Sequence, residues 1–224
     1  KTHEVVILEL PNYPYVLQGA NLRRVADISC IVLRSAKASR DALPLLSEQM
    51  KKISPKDIVV AGDSAGGGLT LSLMLAIRDE GLPMPKAICV ISPLADLSFS
   101  GLSREFNRWR DPMLPTHREM NAFELYSGDT PSDEPLLSPI FGDLSGFPPI
   151  FAQVGSTEIL LDDTLRVARK ARSQGVEVEV EIWDSLPHVW HLWSFIPETD
   201  LALDHIAQFF LRHFEKHKPA LTVV

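Results

Sequence analysis

The sequence has few cysteines, no dense basic stretch and no long apolar run. Its 224 residues include only 2 Cys, and Cys30 and Cys89 each lie within a run of Val and Ile. This usage excludes a disulfide scaffold, and we expect both thiols to be reduced and buried in core strands. Lys and Arg number 22 against 29 Asp and Glu, a net charge of −7. Because no aromatic side chains are interleaved with basic ones, we expect no nucleic-acid partner.

Membrane and export signals are also missing. The longest apolar runs fall well short of the ~20 residues that a bilayer-spanning helix needs. The first residues carry no signal-peptide pattern, so we expect a cytoplasmic protein that does not bind membranes. The sequence opens at Lys1 and runs directly into an apolar strand, which leaves a missing upstream segment as an open alternative.

Short β-branched runs alternate with amphipathic stretches, and no internal repeat interrupts them. The predicted strands cover residues 5–8, 28–33, 58–61, 87–91, 150–154 and 176–182. The predicted helices cover 69–78, 162–174 and 201–214, with a further one from Asp41. Most strands are apolar on both faces, which is typical of a parallel sheet covered by helices on both sides. Residues 1–224 therefore predict one α/β domain, with 176–182 as a half-buried edge strand.

Residues 98–147 break this alternation. They carry Pro at five positions, 112, 115, 131, 135 and 139, and one predicted helix over 116–125. A loop of this length without a role is uncommon, and ligands of open α/β folds bind at the carboxyl edge of the sheet. We expect a cap or lid insertion over that edge. The alternative is a long surface loop without function.

One motif carries chemistry. Residues 62–66 read Gly-Asp-Ser-Ala-Gly, a G-x-S-x-G sequence between a predicted strand and a predicted buried helix. Glycines flank Ser64 because a serine on so sharp a turn has a strained backbone and close neighbours. Such a turn lifts the Ser64 hydroxyl above the sheet as a nucleophile. It also leaves the Ala65 N–H at a helix N-terminus, where it can stabilise an oxyanion.

A nucleophilic serine needs a base and an orienting acid, which follow it in this order in this kind of fold. His188 lies in a loop after the last predicted strand, and His191 is its only near rival. The acid should follow the strand 150–154. We favour Glu158 there over Asp162 and Asp163, because helix capping accounts for at least one of these aspartates. Asp96 is a more distant alternative.

Several segments together resemble the hormone-sensitive-lipase-like esterases of the α/β-hydrolase fold. They are residues 62–68 (Gly-Asp-Ser-Ala-Gly-Gly-Gly), 92–97 (Ser-Pro-Leu-Ala-Asp-Leu), 111–114 (Asp-Pro-Met-Leu), 154–163 and the His188 loop. The resemblance runs from about residue 53 to 214. It implies a carboxylic-ester hydrolase without metal or organic cofactor, with a small-molecule ester as substrate. By position, Ser64 would be the nucleophile, His188 the base and Glu158 the acid, where the family more often carries Asp.

The N-terminal part departs from that family. Where the family carries His-Gly-Gly-Gly, whose N–H groups complete the oxyanion hole, residues 11–14 read Pro-Asn-Tyr-Pro. Asn12 and Tyr13 still have backbone N–H groups to donate, whereas Pro11 and Pro14 do not. We therefore expect an esterase of reduced or atypical activity. The rival hypothesis is a catalytically impaired ligand-binding protein on a hydrolase scaffold, and the presence of His188 argues against it.

The substrate and the oligomeric state are weakly specified. Trp190 and Trp193 flank the proposed base and are candidates for an apolar substrate pocket, with core packing beneath the lid as an equal alternative. The edge strand 176–182 and the last helix predict a surface able to form a homodimer. Three glutamates on that strand, Glu177, Glu179 and Glu181, also serve to blunt a free edge.

Overall fold

The computed structural model describes residues 54–114, 127 and 129–215, together with the backbone of residues 7–8 and 29–33. Within these residues six parallel strands form one sheet, and sheet order follows chain order. The strands are β1 (Ile7–Leu8), β2 (Ser29–Leu33), β3 (Ile58–Asp63), β4 (Ala87–Ile91), β5 (Ile150–Gly155) and β6 (Val178–Trp183). The helices are α1 (Ala65–Asp79), α2 (Ser103–Phe106), α3 (Leu161–Ser173) and α4 (Pro197–Glu215). The predicted α/β class is confirmed.

Helices cover both faces of the sheet because successive side chains of a strand point to opposite sides. Ile88 and Val90 of β4 pack with α1 and α3 on one face. Cys89 and Ile91 of the same strand pack with α4 on the other, and Cys89 is buried as expected. Helix α1 is buried along most of its length, from Gly66 to Ile77, which explains why its sequence is apolar nearly all round.

The element boundaries differ from the predicted ones in a few places. β6 begins at Val178 rather than at residue 176, because the Val176 N–H donates to the Ala171 carbonyl and closes the end of α3. Gly175 stands in that turn with φ of 82°, as its predicted position after the helix requires. Helix α4 starts at Pro197, four residues before the predicted 201. β6 is half-buried, as predicted for an edge strand.

The described parts of the 98–147 insertion pack against the carboxyl edge of the sheet. The Asn107 side-chain amide donates to the carbonyls of Ser156 and Glu158, at 3.0 and 2.8 Å. The Asp111 carboxylate accepts the Ile159 N–H at 2.9 Å. The insertion is therefore anchored on the loop that follows β5, and its role as a lid stays a prediction.

Some predictions lie outside the described residues. They concern the helix from Asp41, the helix over 116–125 and the loop 11–14 with Asn12 and Tyr13. None of the helices in the described part of the chain is long and apolar enough to cross a bilayer.

Candidate active site

Ser64 stands on the sharp turn between β3 and α1. Its backbone lies in the left-handed half of conformational space, with φ of 56° and ψ of −122°. Two hydrogen bonds fix the turn: the Ser64 N–H donates to the Ile91 carbonyl at 2.8 Å, and the Leu94 N–H donates to the Ser64 carbonyl at 2.9 Å. A Cβ on Gly62 would lie 2.1 Å from the Gly66 carbonyl oxygen, so only glycine fits there. The motif therefore forms the elbow that its spacing predicts.

The structure brings His188 to this serine from the loop after β6. The His188 Nε2 atom lies 2.9 Å from Ser64 Oγ, although the two residues are 124 positions apart in the sequence. The imidazole is buried, with 5% of the residue exposed, whereas Ser64 is half-buried and so reachable from outside. The loop brings the ring to the serine because parallel strands end at the same edge of the sheet.

Glu158, in the loop after β5, holds the other side of the imidazole. Its Oε2 lies 2.8 Å from His188 Nδ1, and the residue is fully buried. The Gly155 N–H donates to its other oxygen, Oε1, at 2.6 Å. An ionised carboxylate only accepts hydrogen bonds, so Nδ1 carries the imidazole proton in this arrangement. Nε2 is then left to accept the Ser64 hydroxyl.

The two aspartates that compete with Glu158 have other partners. The Asp163 Oδ2 atom accepts the N–H groups of Ala95 and Asp96, both at 3.0 Å. The Asp162 carboxylate accepts the Ser103 N–H at 2.9 Å. Helix α3 has no side-chain cap, so the capping role expected for one of them is wrong. Asp163 instead ties α3 to the loop after β4, and Asp162 ties it to the start of α2.

Burial raises the pKa of Asp163 to about 6, against the opposing effect of Arg104 at 3.5 Å. Asp96 is also buried, and burial would raise its pKa as well. Hydrogen bonds from Ser100, Ser98 and Arg166 outweigh this effect and lower the pKa of Asp96 to about 2. The Arg166 guanidinium lies 2.7 Å from Asp96. Asp96 is thus an ionised anchor for the loop 98–100, away from His188.

The rival histidine, His191, is buried in the same segment of the chain that carries His188. The His191 Nε2 atom lies 2.8 Å from the Gln153 side-chain oxygen, and its ring packs 4.1 Å from Trp190. Burial and the neighbouring His188 lower the pKa of His191 to about 3. His191 is therefore neutral and does not reach Ser64 in this arrangement.

The two candidate pocket tryptophans differ in exposure. Trp190 is fully buried and packs on Trp183 as well as on His191. This placement supports the core-packing alternative for Trp190. Trp193 is half-buried and stays a candidate for contact with a substrate. Of the oxyanion candidates, Ala65 is the first residue of α1, where backbone N–H groups have no partner within the helix.

Sequence reasoning missed one member of this cluster, Ser92. It directly follows β4, is fully buried and has φ of 47°. Its hydroxyl donates to Glu158 Oε1 at 2.8 Å. Only the family resemblance singles out the segment 92–97 in the sequence, and nothing local in it points to a contact with a residue 66 positions away. Within the described residues, no cluster of three or more His, Cys, Asp or Glu side chains could hold a metal ion.

Comparisons with known proteins agree with this fold. A family model described as the alpha/beta hydrolase fold matches residues 32–192. An acetyl-hydrolase of Streptomyces hygroscopicus is 40% identical over 159 residues, which are 70% of this chain and 53% of that protein. An esterase of Acinetobacter venetianus is 36% identical over 159 residues, 70% of this chain and 52% of its own.

A solved structure of similar fold belongs to a narrower family. The crystal structure of an esterase from the bacterial hormone-sensitive lipase family superposes with a TM-score of 0.77 at 35% identity, over 79% of this chain and 60% of that one. The chain belongs to the α/β-hydrolase fold family. Its resemblance to the hormone-sensitive-lipase-like esterases is confirmed. The chain spans about half the length of the two relatives named above.

Proposed function

We propose that this protein is a serine carboxylic-ester hydrolase in which Ser64, His188 and Glu158 act as nucleophile, base and acid. The observation that carries the proposal is the unbroken chain of contacts from Ser64 Oγ to His188 Nε2, at 2.9 Å, and from His188 Nδ1 to Glu158, at 2.8 Å. Both distances lie within hydrogen-bond reach, as this chemistry requires. The names of the relatives, acetyl-hydrolase and esterase, support the same reaction class.

The reaction proceeds through two acyl transfers. Ser64 Oγ attacks the ester carbonyl while His188 Nε2 accepts the hydroxyl proton, and Glu158 stabilises the imidazolium that results. His188 then passes that proton to the departing alkoxide, which leaves as the alcohol. The acyl group stays bonded to Ser64 Oγ. Water then attacks the acyl group, gives its proton to His188 and releases the carboxylic acid. The free Ser64 hydroxyl is regenerated by the same proton.

The oxyanion hole sets the rate that we expect. The Ala65 N–H supplies one donor, and Asn12 and Tyr13 stand where the family has glycines. Losing a single oxyanion donor lowers kcat by roughly 10²–10³-fold. We therefore propose attenuated hydrolysis of small or medium acyl esters rather than an inert scaffold.

The decisive experiment measures p-nitrophenyl acetate and p-nitrophenyl butyrate hydrolysis together with labelling by a fluorophosphonate. Wild-type protein should turn over at least one ester and take up the label. Ser64→Ala should lose more than about 10⁴-fold in kcat, on the scale known for serine hydrolases, and all labelling. Ser173→Ala removes an exposed serine of α3 and should behave as wild type.

The rival binding protein predicts a different result. Wild-type protein that neither hydrolyses these esters nor accepts the label would contradict the enzyme hypothesis. An enzyme should keep ligand binding but lose turnover in Ser64→Ala, whereas a receptor should change little in either respect.

Location and self-association stay predictions. In the described residues the glutamates of β6 face basic side chains of α4: Glu179 pairs with Arg212 at 2.8 Å, and Glu181 with His205 at 2.7 Å. We propose a cytoplasmic protein that can dimerise through β6 and α4. Sedimentation velocity at several concentrations tests the dimer, and a single monomeric species would contradict it.

A further inference from the structure

Ser92 has a backbone conformation that serine rarely adopts. It follows β4 with φ of 47°, and its N–H is fixed by a 2.8 Å hydrogen bond to the Gln153 carbonyl. Glycine enters this left-handed region without strain, whereas a residue with a Cβ is strained there. Strained residues persist where the surroundings hold them in place, and they cluster at functional sites. The strain at Ser92 therefore draws attention to its hydroxyl.

The hydroxyl is directed at the Glu158 carboxylate. Ser92 Oγ donates to Glu158 Oε1 at 2.8 Å, inside a region where both residues are fully buried. The Gly155 N–H donates to the same oxygen at 2.6 Å. The other oxygen, Oε2, is left for the His188 Nδ1–H. Donors from three separate segments, the last residue of β5 and the loops after β4 and β6, thus converge on one carboxylate.

These contacts fix the orientation of the carboxylate. A glutamate has three side-chain torsions, and the last of them is soft. With only Gly155 bound to Oε1, the carboxylate group could turn and carry Oε2 out of line with the imidazole. A Cβ at Gly155 would lie 2.0 Å from the Leu186 carbonyl oxygen and 3.1 Å from Glu158 Oε1, so residue 155 has no room for a side chain that could hold the carboxylate in place of Ser92.

We infer that Ser92 is a positioning residue for the catalytic acid: its hydroxyl holds Glu158 at the angle at which Oε2 accepts the His188 Nδ1–H. Ser92 touches neither Ser64 nor the reacting atoms. Its Oγ donates to Glu158 at 2.8 Å and also accepts the Val189 N–H at 3.5 Å, so the carboxylate is the group that it holds most closely. The inference rests on the proposed function for its effect on rate, and on the Ser92–Glu158–His188 geometry for its effect on the imidazole.

Steady-state kinetics of Ser92→Ala give the first test. We expect kcat for p-nitrophenyl acetate to fall by roughly 10- to 100-fold, as for loss of a hydrogen bond to a charged group, with KM within about twofold of wild type. Ser92→Gly should fall equally, because it also lacks the hydroxyl while relieving the backbone strain. If Ser92→Gly keeps wild-type kcat, the backbone and not the hydroxyl matters, and the inference is wrong.

A matched control separates positioning from general loss of a buried hydroxyl. Ser138 is also fully buried. Its Oγ accepts the Leu97 N–H and donates to the Ser132 carbonyl, and neither partner is a residue of the proposed triad. Ser138→Ala should lower the melting temperature about as much as Ser92→Ala and leave kcat unchanged. Equal losses of kcat in both variants would overturn the inference.

A double-mutant cycle tests whether Ser92 acts through Glu158. In a Glu158→Gln background, adding Ser92→Ala should change kcat by less than about twofold, because the carboxylate that it positions is already gone. If the two losses multiply, Ser92 acts by another route.

Proton NMR gives a readout that does not need turnover. In wild-type protein the His188 Nδ1–H should give a resolved low-field resonance from its hydrogen bond to the carboxylate. The resonance should broaden in Ser92→Ala and disappear in Glu158→Gln, while Ser138→Ala keeps it. An inactive wild type with this pattern would refute the esterase and uphold the positioning role. If the wild type is active but neither its resonance nor its kcat changes in Ser92→Ala, the esterase proposal stands and the positioning role is refuted.

Discussion

His191 is buried as a neutral imidazole in the same segment of the chain that carries His188. Its pKa is lowered to about 3 by burial and by His188, from 6.5 in an unfolded chain. Below pH 6.5 the unfolded chain therefore binds a proton that the folded protein does not, so stability falls as the pH falls from 6.5 towards 3. The linkage amounts to about 2 kcal/mol of unfolding free energy between pH 7 and pH 5.

We therefore predict that the unfolding free energy of His191→Gln decreases less between pH 7 and pH 5 than that of the wild type. Its amide can still donate to Gln153, so the protein should fold, with a loss at pH 7 of about 1–3 kcal/mol from the missing ring contact with Trp190. Urea unfolding at pH 7 and pH 5 measures the difference. Leu192→Ala alters the same turn but keeps the imidazole, and it should retain the wild-type slope. A wild-type slope in His191→Gln would contradict this assignment.

Single residues also show what the sequence can and cannot predict. Ser64 could be found because its motif is local, and Glu158 because an acid is expected after the strand that contains Gln153. Ser92 could not be found, since its contact with Glu158 depends on a backbone angle and on a sheet that joins distant segments. The partners of Asp163 were missed for the same reason: they lie in the loop after β4 and not in its own helix.

The element that defines the site is the β3–α1 turn, which is packed too tightly for side chains. A Cβ on Gly62 would lie 2.1 Å from the Gly66 carbonyl oxygen and 2.6 Å from Thr70 Oγ1. The Gly66 carbonyl could move away from such a Cβ only if the first turn of α1, and Ser64 with it, also moved. We predict that Gly62→Ala loses more than about 3 kcal/mol of stability, because the added methyl group overpacks the turn, and all fluorophosphonate labelling.

The control for this change is Gly146→Ala. Gly146 has positive φ, 78°, unlike Gly62, but nothing lies within 4 Å of a Cβ added there. Its cost should be limited to the conformational strain of about 1–2 kcal/mol, with labelling intact. Thermal unfolding and labelling of the two variants settle the matter, and equal stability losses would show that crowding at Gly62 is not the cause.

Elements were predicted better than their ends. Strands β4 and β5 follow from apolar runs between turn residues, with Gln153 as the polar exception in β5. The start of β6 did not, because Val176 looks like part of an alternating strand and yet closes α3 through its N–H. Periodicity identifies a strand, whereas hydrogen bonds to a neighbouring helix decide where it begins.

At the scale of the whole molecule, the unusual residues 11–14 are expected to limit the rate. Replacing Pro-Asn-Tyr-Pro there by His-Gly-Gly-Gly should raise kcat for p-nitrophenyl acetate, by up to roughly 10²–10³-fold, because it adds backbone donors without side chains. Four alanines in the same positions supply the N–H groups but keep Cβ atoms, and we expect a smaller gain from them. An unchanged kcat in the glycine variant would contradict the oxyanion explanation.

The 124-residue separation between Ser64 and His188 has a consequence for biosynthesis. In the proposed mechanism, a ribosome completes the turn that carries the Ser64 nucleophile long before it makes the loop that carries the His188 base. A nascent polypeptide stalled ahead of that loop carries the serine without its base and should not react with a fluorophosphonate. The onset of labelling during translation would then report when β6 and the loop after it dock onto the sheet.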